Sequence, residues 1–486
     1  MPGLGILTRS YLSFRHRRRT CQPVTRVTKP DQPVSRDLAA FAAHARFADL
    51  PQAAVADTRR AVLDWLGSVL AGSLEPPARM TQRVGATFGR SDEATVFSAG
   101  RASAPGAALV NGVASHILEL DDVHKGSTLH AAAPVIPAAL AVAEREHRSG
   151  PAFLLAVALG YDAAFRIGEA VNPSHYRFWH PTGTAATFGA AVAAGSLMDL
   201  DETAMADALG TAGTQAAGLW EFNADGSMSK HLHPGKAAMN GVLAADLARE
   251  GFTGAGRILE GDRGFFRATS TSFDATRVTE GLGINWKISE NSYKLHACCG
   301  HTHTAIDMAL DYRAGSAWHG PDALASVEVR TYASGYEIVK EMNPRTPYQA
   351  KFSLAYCVAV GLLEGRVGLA QFSGERFNED GVIDPTVRAL LERIRVTVDP
   401  EVTARYPAEW GTRMTFTARD GSSAQLNAAF PRGNPENPVS TAVLEAKLRD
   451  LVRPRLGQGP AERAILAVNG LEQCPDMATA FPDLAP

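Results

Sequence analysis

Apolar residues recur at three- and four-residue spacing over 53–71, 135–147, 185–197, 202–218 and 236–249, and this period predicts a set of packed helices. The stretch 183–195 is so rich in Ala and Gly that it predicts burial on most sides, with neighbouring helix axes in close approach. Asp201 ahead of Glu202 supplies an N-cap. After about residue 320 the period shortens to two. The segments 326–332, 393–398 and 414–419 alternate apolar and polar as half-buried strands do, and Asp420-Gly421 offers a hairpin turn into 423–430. A connector rich in Pro, Gly and Asn, 431–438, then leads to helical patterns at 441–452 and 460–468. The fold class is therefore mainly α: a large all-helical domain with an inserted smaller α+β domain. The expected boundaries are 1–34 for a disordered basic tail, 35–289 for the first part of the helical domain, 290–432 for the α+β domain and 433–486 for the helical return.

Composition narrows this only a little. At 486 residues the chain exceeds what one core usually organises, and 45% hydrophobic with 20% charged residues and a formal net charge of −3 is ordinary for a globular protein. No broad basic surface argues for nucleic acid. The longest apolar runs, such as 131–143, contain prolines and fall short of the roughly 20 residues of a membrane span, so no membrane partner is expected. Five cysteines, Cys21, Cys298, Cys299, Cys357 and Cys474, form no disulfide framework and suit a reducing, cytoplasmic setting. Before Asp31 the chain carries Arg9, Arg15, Arg17, Arg18, Arg19, Arg26 and Lys29 and no acid. That describes a basic tail, an upstream start or, in a eukaryote, a mitochondrial transit peptide.

Chemistry concentrates in 118–130, where Glu119, Asp121, Asp122, His124, Lys125 and His130 stand between two apolar segments. Carboxylates and imidazoles move protons near neutral pH, and burying them is costly unless they pair with one another or with a ligand. Four further clusters follow: 175–184 with His175 and His180, 229–236 with Lys230, His231, His233 and Lys236, 293–303 with Lys294, His296, His301 and His303, and 351–356 with Lys351 and Tyr356. Lysine occurs nine times in the chain, and two fall within 229–236, which favours a local anion clamp. Individually, His124 and His175 read as surface or capping histidines. The set His296, Cys298, Cys299, His301 and His303 has ligand chemistry but lacks the Cys-x-x-Cys spacing that seats two thiolates on one ion, so no metal and no cofactor are expected. Nothing resembles a P-loop or a strand-borne Gly-x-Gly-x-x-Gly.

The motifs Leu120-Asp-Asp-Val-His with Leu129-His130, Trp179-His-Pro-Thr-Gly-Thr, Ser229-Lys-His-Leu-His-Pro-Gly-Lys, Tyr293-Lys-Leu-His-Ala-Cys-Cys-Gly and Phe352-Ser-Leu-Ala-Tyr, in this order, resemble the MmgE/PrpD family over about 36–470. That family includes 2-methylcitrate dehydratases, cis-aconitate decarboxylases and iminodisuccinate epimerases. The resemblance implies that the α+β domain is a lid, that the protein is a homodimer, and that a metal-free site between domains takes a small polycarboxylate. It further implies His130, Lys230, His303 and Tyr356 as catalytic residues, with Glu119, Asp121, Asp122 and His180 binding substrate. The chain departs from decarboxylase relatives at Glu119, where they carry aspartate, and at Val123, where they carry threonine. The expected activity is a lyase, dehydratase or decarboxylase, with an epimerase as the alternative and a non-catalytic helical ligand-binding or scaffold protein as a reading of another class.

Overall fold

A computed structural model of the chain describes residues 33–88, 91–481 and 484. The predicted basic tail lies outside them up to residue 32, and Val34 already opens a helix, Val34–His44. The protein is mainly α, with twenty α-helices among the described residues. Gly150–Val171 packs on Ala185–Leu197, which also packs on Ser229–Arg249 and Ala132–Arg145; Ser229–Arg249 in turn crosses Ala104–His116. Gly150–Val171, against the expectation from the apolar runs, is long and apolar enough to cross a membrane by length and composition. Most of it is buried against the protein's own helices.

The crossing of Ala104–His116 with Ser229–Arg249 sets the geometry that matters below. It is closed by glycines. A Cβ placed on Gly112 would lie 2.7 Å from Gly235 Cα, and one placed on Gly235 would lie 2.4 Å from the Leu109 carbonyl oxygen. Backbone stands against backbone, so nothing there can give way. Gly235→Ala is expected to push the helices apart, destabilising the fold by about 1–3 kcal/mol. It should also cost activity out of proportion to stability, because a displacement of about 1 Å at a reacting group can cost about 10²-fold. Thermal unfolding and kcat on the same preparation check this.

Helix limits follow the hydrophobic period closely, and Asp201 caps Glu202–Gly213 by accepting from the Ala204 amide at 2.8 Å. Two limits differ. Glu202–Gly213 stops five residues short of the predicted end, and the carbonyls of Gln215 and Ala217 in the following loop accept from Lys236 Nζ at 3.0 and 2.9 Å. The next long helix begins at Ser229 rather than at Lys236, so Lys230, His231 and His233 stand on its first turns. The four predicted strands form one sheet in the order Ile394–Val398, Leu324–Thr331, Thr412–Ala418, Ser423–Ala428, with the first pair parallel and the others antiparallel. Helices His303–Ala314 and Leu354–Glu364 pack on this sheet and on each other. Thr441–Leu456 and Gln458–Asn469 pack on Gln52–Gly72 of the helical body.

Candidate active site

His116 ends its helix, and the chain turns back through Glu119, whose φ of +58° is the left-handed conformation that a side chain with Cβ rarely takes. Backbone strain of this kind costs on the order of 1–3 kcal/mol and persists only where the surroundings enforce it. Here they do. Glu119 is fully buried and ion-pairs through Oε1 with Lys230 Nζ, while its Oε2 lies 3.5 Å from Lys294 Nζ. Lys294 reaches this point because Val123 pairs antiparallel with Ser292, each amide donating to the other's carbonyl at 2.9 and 3.0 Å. The same ammonium stands 3.8 Å from Asp121 Oδ1. Lys351 Nζ donates to the Leu118 carbonyl at 2.9 Å, and the Phe352 ring centroid lies 5.0 Å from Lys230 Nζ.

Burial alone would raise the carboxyl pKa values here, but the surrounding basic groups win. Lys230, Lys294, His116 and His130 hold Glu119 well below the ordinary range, and His116, His130 and Lys294 do the same for Asp121. Asp121 Oδ2 lies 2.6 Å from His116 Nδ1; an ionised carboxylate only accepts, so Nδ1 carries the hydrogen. The Nε2 atom of His116 is buried with no partner. His130 Nδ1 lies 2.5 Å from the Asp122 carbonyl oxygen, which likewise places its hydrogen on Nδ1 and leaves Nε2 as the free acceptor. Burial lowers the His130 pKa to about 3 against the raising effect of Asp121, whose Oδ2 is 3.8 Å away.

Asp122 has a different part. Its Oδ2 accepts from Tyr161 at 2.7 Å and its Oδ1 from the Ala132 amide at 3.1 Å, at the start of Ala132–Arg145. Burial, reinforced by the neighbouring Asp121 charge, raises its pKa to about 7. It pins the backbone that carries His130. His180 completes the group, with its ring 5.7 Å from His116 and 6.2 Å from His130, its Nδ1 3.0 Å from His233 Nδ1, and a buried, unpartnered Nε2.

Of the residues expected from sequence, Glu119, Asp121, His130, His180 and Lys230 converge, with Asp122 behind them. His303 and Tyr356 do not join them. His303 is turned into its own segment, Nε2 3.4 Å from the Cys298 carbonyl and its ring 5.0 Å from His296. Tyr356 donates to the Gln371 carbonyl at 2.5 Å and packs between Phe372 and Phe377. The group instead gains His116, His231, Lys294, Tyr348 and Lys351. Tyr348 Oη, His231 Nδ1 and Lys294 Nζ are buried without hydrogen-bond partners, and the Tyr348 ring lies 6.0 Å from His231 and 5.0 Å from Phe352. Lys294 sits in a recognised motif and is one of few lysines, which was signal enough; His116 gave none beyond ending a helix five residues before Asp121.

His124 and His175, expected at the surface or at a helix cap, are both buried instead. His124 stacks on Phe165 at 4.1 Å and bonds Ser127 at 2.9 Å, and His175 is held between Thr184 and the Thr269 carbonyl. Ligand atoms of His116, Asp121 and His130 lie within 4.8 Å of one another, as do those of His124, Glu169 and Glu290. Neither set fits a metal well, because ammonium groups already serve the acids: Lys294 the first, and the second Lys287, at 3.1 Å from Glu169 and 3.0 Å from Glu290. In the 296–303 cluster His296 turns to Asp307, His301 to Tyr332 and His303 to the Cys298 carbonyl, so these imidazoles do not share one point.

Burial has a consequence for stability. It lowers His130, His231 and His301 to about 3 and His175 and His233 to about 4. Each unfolded imidazole binds a proton near pH 6.5 that the folded one refuses, so stability is complete above that pH and lost as pH falls towards the folded value. The loss is about 1.4 kcal/mol per pH unit for each such group. Asp122 and Glu144, both raised to about 7, act in the opposite sense but are fewer. The Tm should therefore fall markedly between about pH 7.5 and about pH 5. An equal or higher Tm at the lower pH would contradict this balance.

Residues 36–278 match the MmgE/PrpD N-terminal domain and residues 296–473 the MmgE/PrpD C-terminal domain. The chain is 26% identical over 471 residues to a cis-aconitate decarboxylase of Aspergillus terreus, covering 92% of this chain and 94% of that protein. It is 26% identical over 434 residues to the cis-aconitate decarboxylase of Homo sapiens, covering 86% and 88%. A cis-aconitate decarboxylase-like protein, oryM, of Aspergillus oryzae is 26% identical over 475 residues, covering 92% and 96%.

Proposed function

The chain belongs to the MmgE/PrpD family, and on that footing we propose that it is a metal-independent lyase that moves a proton beside a carboxylate of a small di- or tricarboxylate. The observation that carries this reading is the convergence of Lys230, Lys294 and the unpartnered ring nitrogens of His116 and His180 around two buried, ionised acids, Glu119 and Asp121. Ammonium groups in a dry site hold substrate carboxylates and offset charge that develops on carbon. A substrate carboxylate competes with Glu119 for Lys230 and Lys294. Its negative charge also raises the proton affinity of His130, whose Nε2 takes up a proton in the complex and returns it to carbon. Asp121 stabilises the imidazolium so formed. Lys294, Tyr348, Lys351 and Phe352 all come from 290–432, which supports a lid role for that segment.

The names of the relatives make cis-aconitate decarboxylation the first reaction to test. In it the bond to the departing carboxyl breaks, the electron pair stays on the substrate, and one proton quenches it. Dehydration of a methylcitrate-type substrate uses the same groups. An epimerase of an imino-dicarboxylate would draw on the same bases, His116 and His130, whose rings lie 5.0 Å apart. The test is turnover of cis-aconitate, 2-methylcitrate, citrate and iminodisuccinate followed by NMR in deuterated water. Carbon dioxide release with deuterium entering the product is expected for cis-aconitate. Inactivity on all four, with no exchange, would remove the reading.

A further inference from the structure

Decarboxylation consumes one proton per turnover at a site whose polar groups are buried, so a route from solvent is required. We propose that His180 and His233 form that route, a two-imidazole relay that recharges the site with protons, resting on the lyase reading above. The two Nδ1 atoms lie 3.0 Å apart, which is a hydrogen bond only if one of them carries a hydrogen and the other does not. Burial, and for His180 the presence of His233, holds both rings well below the ordinary imidazole range, His233 at about 4, so at neutral pH both are uncharged and share one Nδ1 hydrogen. The charged or titratable groups that act on the pair, His116, His130, Lys230 and Lys236, are all bases, and none would stabilise a doubly protonated pair.

The outer nitrogens face opposite ways. His180 Nε2 is buried and unpartnered beside His116 and His130, whereas His233 is only half-buried. Trp220 and Phe222 flank His180 at 5.1 and 5.9 Å, and Phe222 flanks His233 at 5.6 Å, so apolar rings line the link. The His180 amide is itself tied to the Gly218 carbonyl at 3.0 Å, which fixes the inner ring.

With the shared hydrogen on His233, His180 carries its own hydrogen on Nε2. That hydrogen passes to the site, the shared one moves from His233 Nδ1 to His180 Nδ1, and a solvent proton binds His233 Nε2. One proton has entered and neither ring has held a charge at the end. The pair resets when both rings turn over after product leaves.

The experiment is His233→Gln in the full chain, read by solvent deuterium entry into whichever of the four carboxylates the wild type turns over. Deuterium entry should fall by about 10²-fold with KM unchanged, and added 4-methylimidazole should restore it saturably. A purely structural role would raise KM and give no rescue. Should the variant fail to fold, histidine-selective 15N labelling of the wild type decides: the relay requires scalar coupling between two Nδ1 atoms across a shared hydrogen, and its absence overturns it. Wild-type turnover with an unimpaired or unrescued His233→Gln overturns the relay alone, whereas no exchange by the wild type on any substrate overturns the lyase reading and the relay with it.

Discussion

His130→Ala is expected to lower kcat by about 10² to 10⁴-fold, the usual span for a positioned general acid or base, while Tm changes little. The side chain retains 12% exposure and its only hydrogen bond runs from Nδ1 to the Asp122 carbonyl, so its removal orphans no buried charge. What is lost is the lone pair of Nε2, which the Nδ1 bond holds in one tautomer and one orientation. A pKa of about 3 in the free protein is too low for a resting base at neutral pH, and that is the informative part. The substrate's own carboxylates must raise it, so the pKa governing kcat should lie above the one governing kcat/KM, since the first reports the complex and the second the free enzyme. Coincident profiles, or turnover in His130→Ala within about threefold of wild type, would take His130 out of the reaction.

The difference between legible and illegible residues at this site has a physical cause. Helices announce themselves through long apolar runs; residues 185–197, buried on every side except at Ser196, were recoverable to the residue in that way. The strands did so through alternation, and Asp420-Gly421 through turn chemistry, with Gly421 at φ +86°. Convergence of side chains has no period. Glu119, Asp121 and His130 could be read because they are close in sequence and too polar for a core, and Lys230 because lysine is rare here. His116 becomes part of the site only through the Gly112–Gly235 crossing, and Lys294 only through the Val123–Ser292 pairing; both are long-range contacts. Tyr356 misled in the opposite direction. A buried phenol needs one acceptor, and the Gln371 carbonyl supplies it inside the sheet-bearing half of the chain.

Asp121→Asn carries the largest combined effect, because one carboxylate serves three bases. His116 Nδ1 lies 2.6 Å from it, and His130 Nδ1 and Lys294 Nζ each lie 3.8 Å away, all in a site where side-chain exposure of Asp121 is 0%. An amide keeps the shape and removes the charge. Lys294 is then left with Glu119 alone, and that acid already balances Lys230. Removing one partner of a buried ion pair typically costs about 3–5 kcal/mol, because the other charge stays buried without compensation. The expected result is therefore a large fall in Tm together with a fall in kcat of about 10³-fold or more per folded molecule, the second because His116 loses the acceptor that sets its tautomer and His130 the anion that stabilises its imidazolium. The two effects separate experimentally. Substrate or a polycarboxylate inhibitor brings negative charge back beside Lys294, so saturating ligand should raise the Tm of Asp121→Asn by more than it raises that of the wild type, while leaving kcat depressed. A variant equally stabilised by ligand and equally active would show that Asp121 is a packing residue, and the three bases around it would then need another anion to explain their burial.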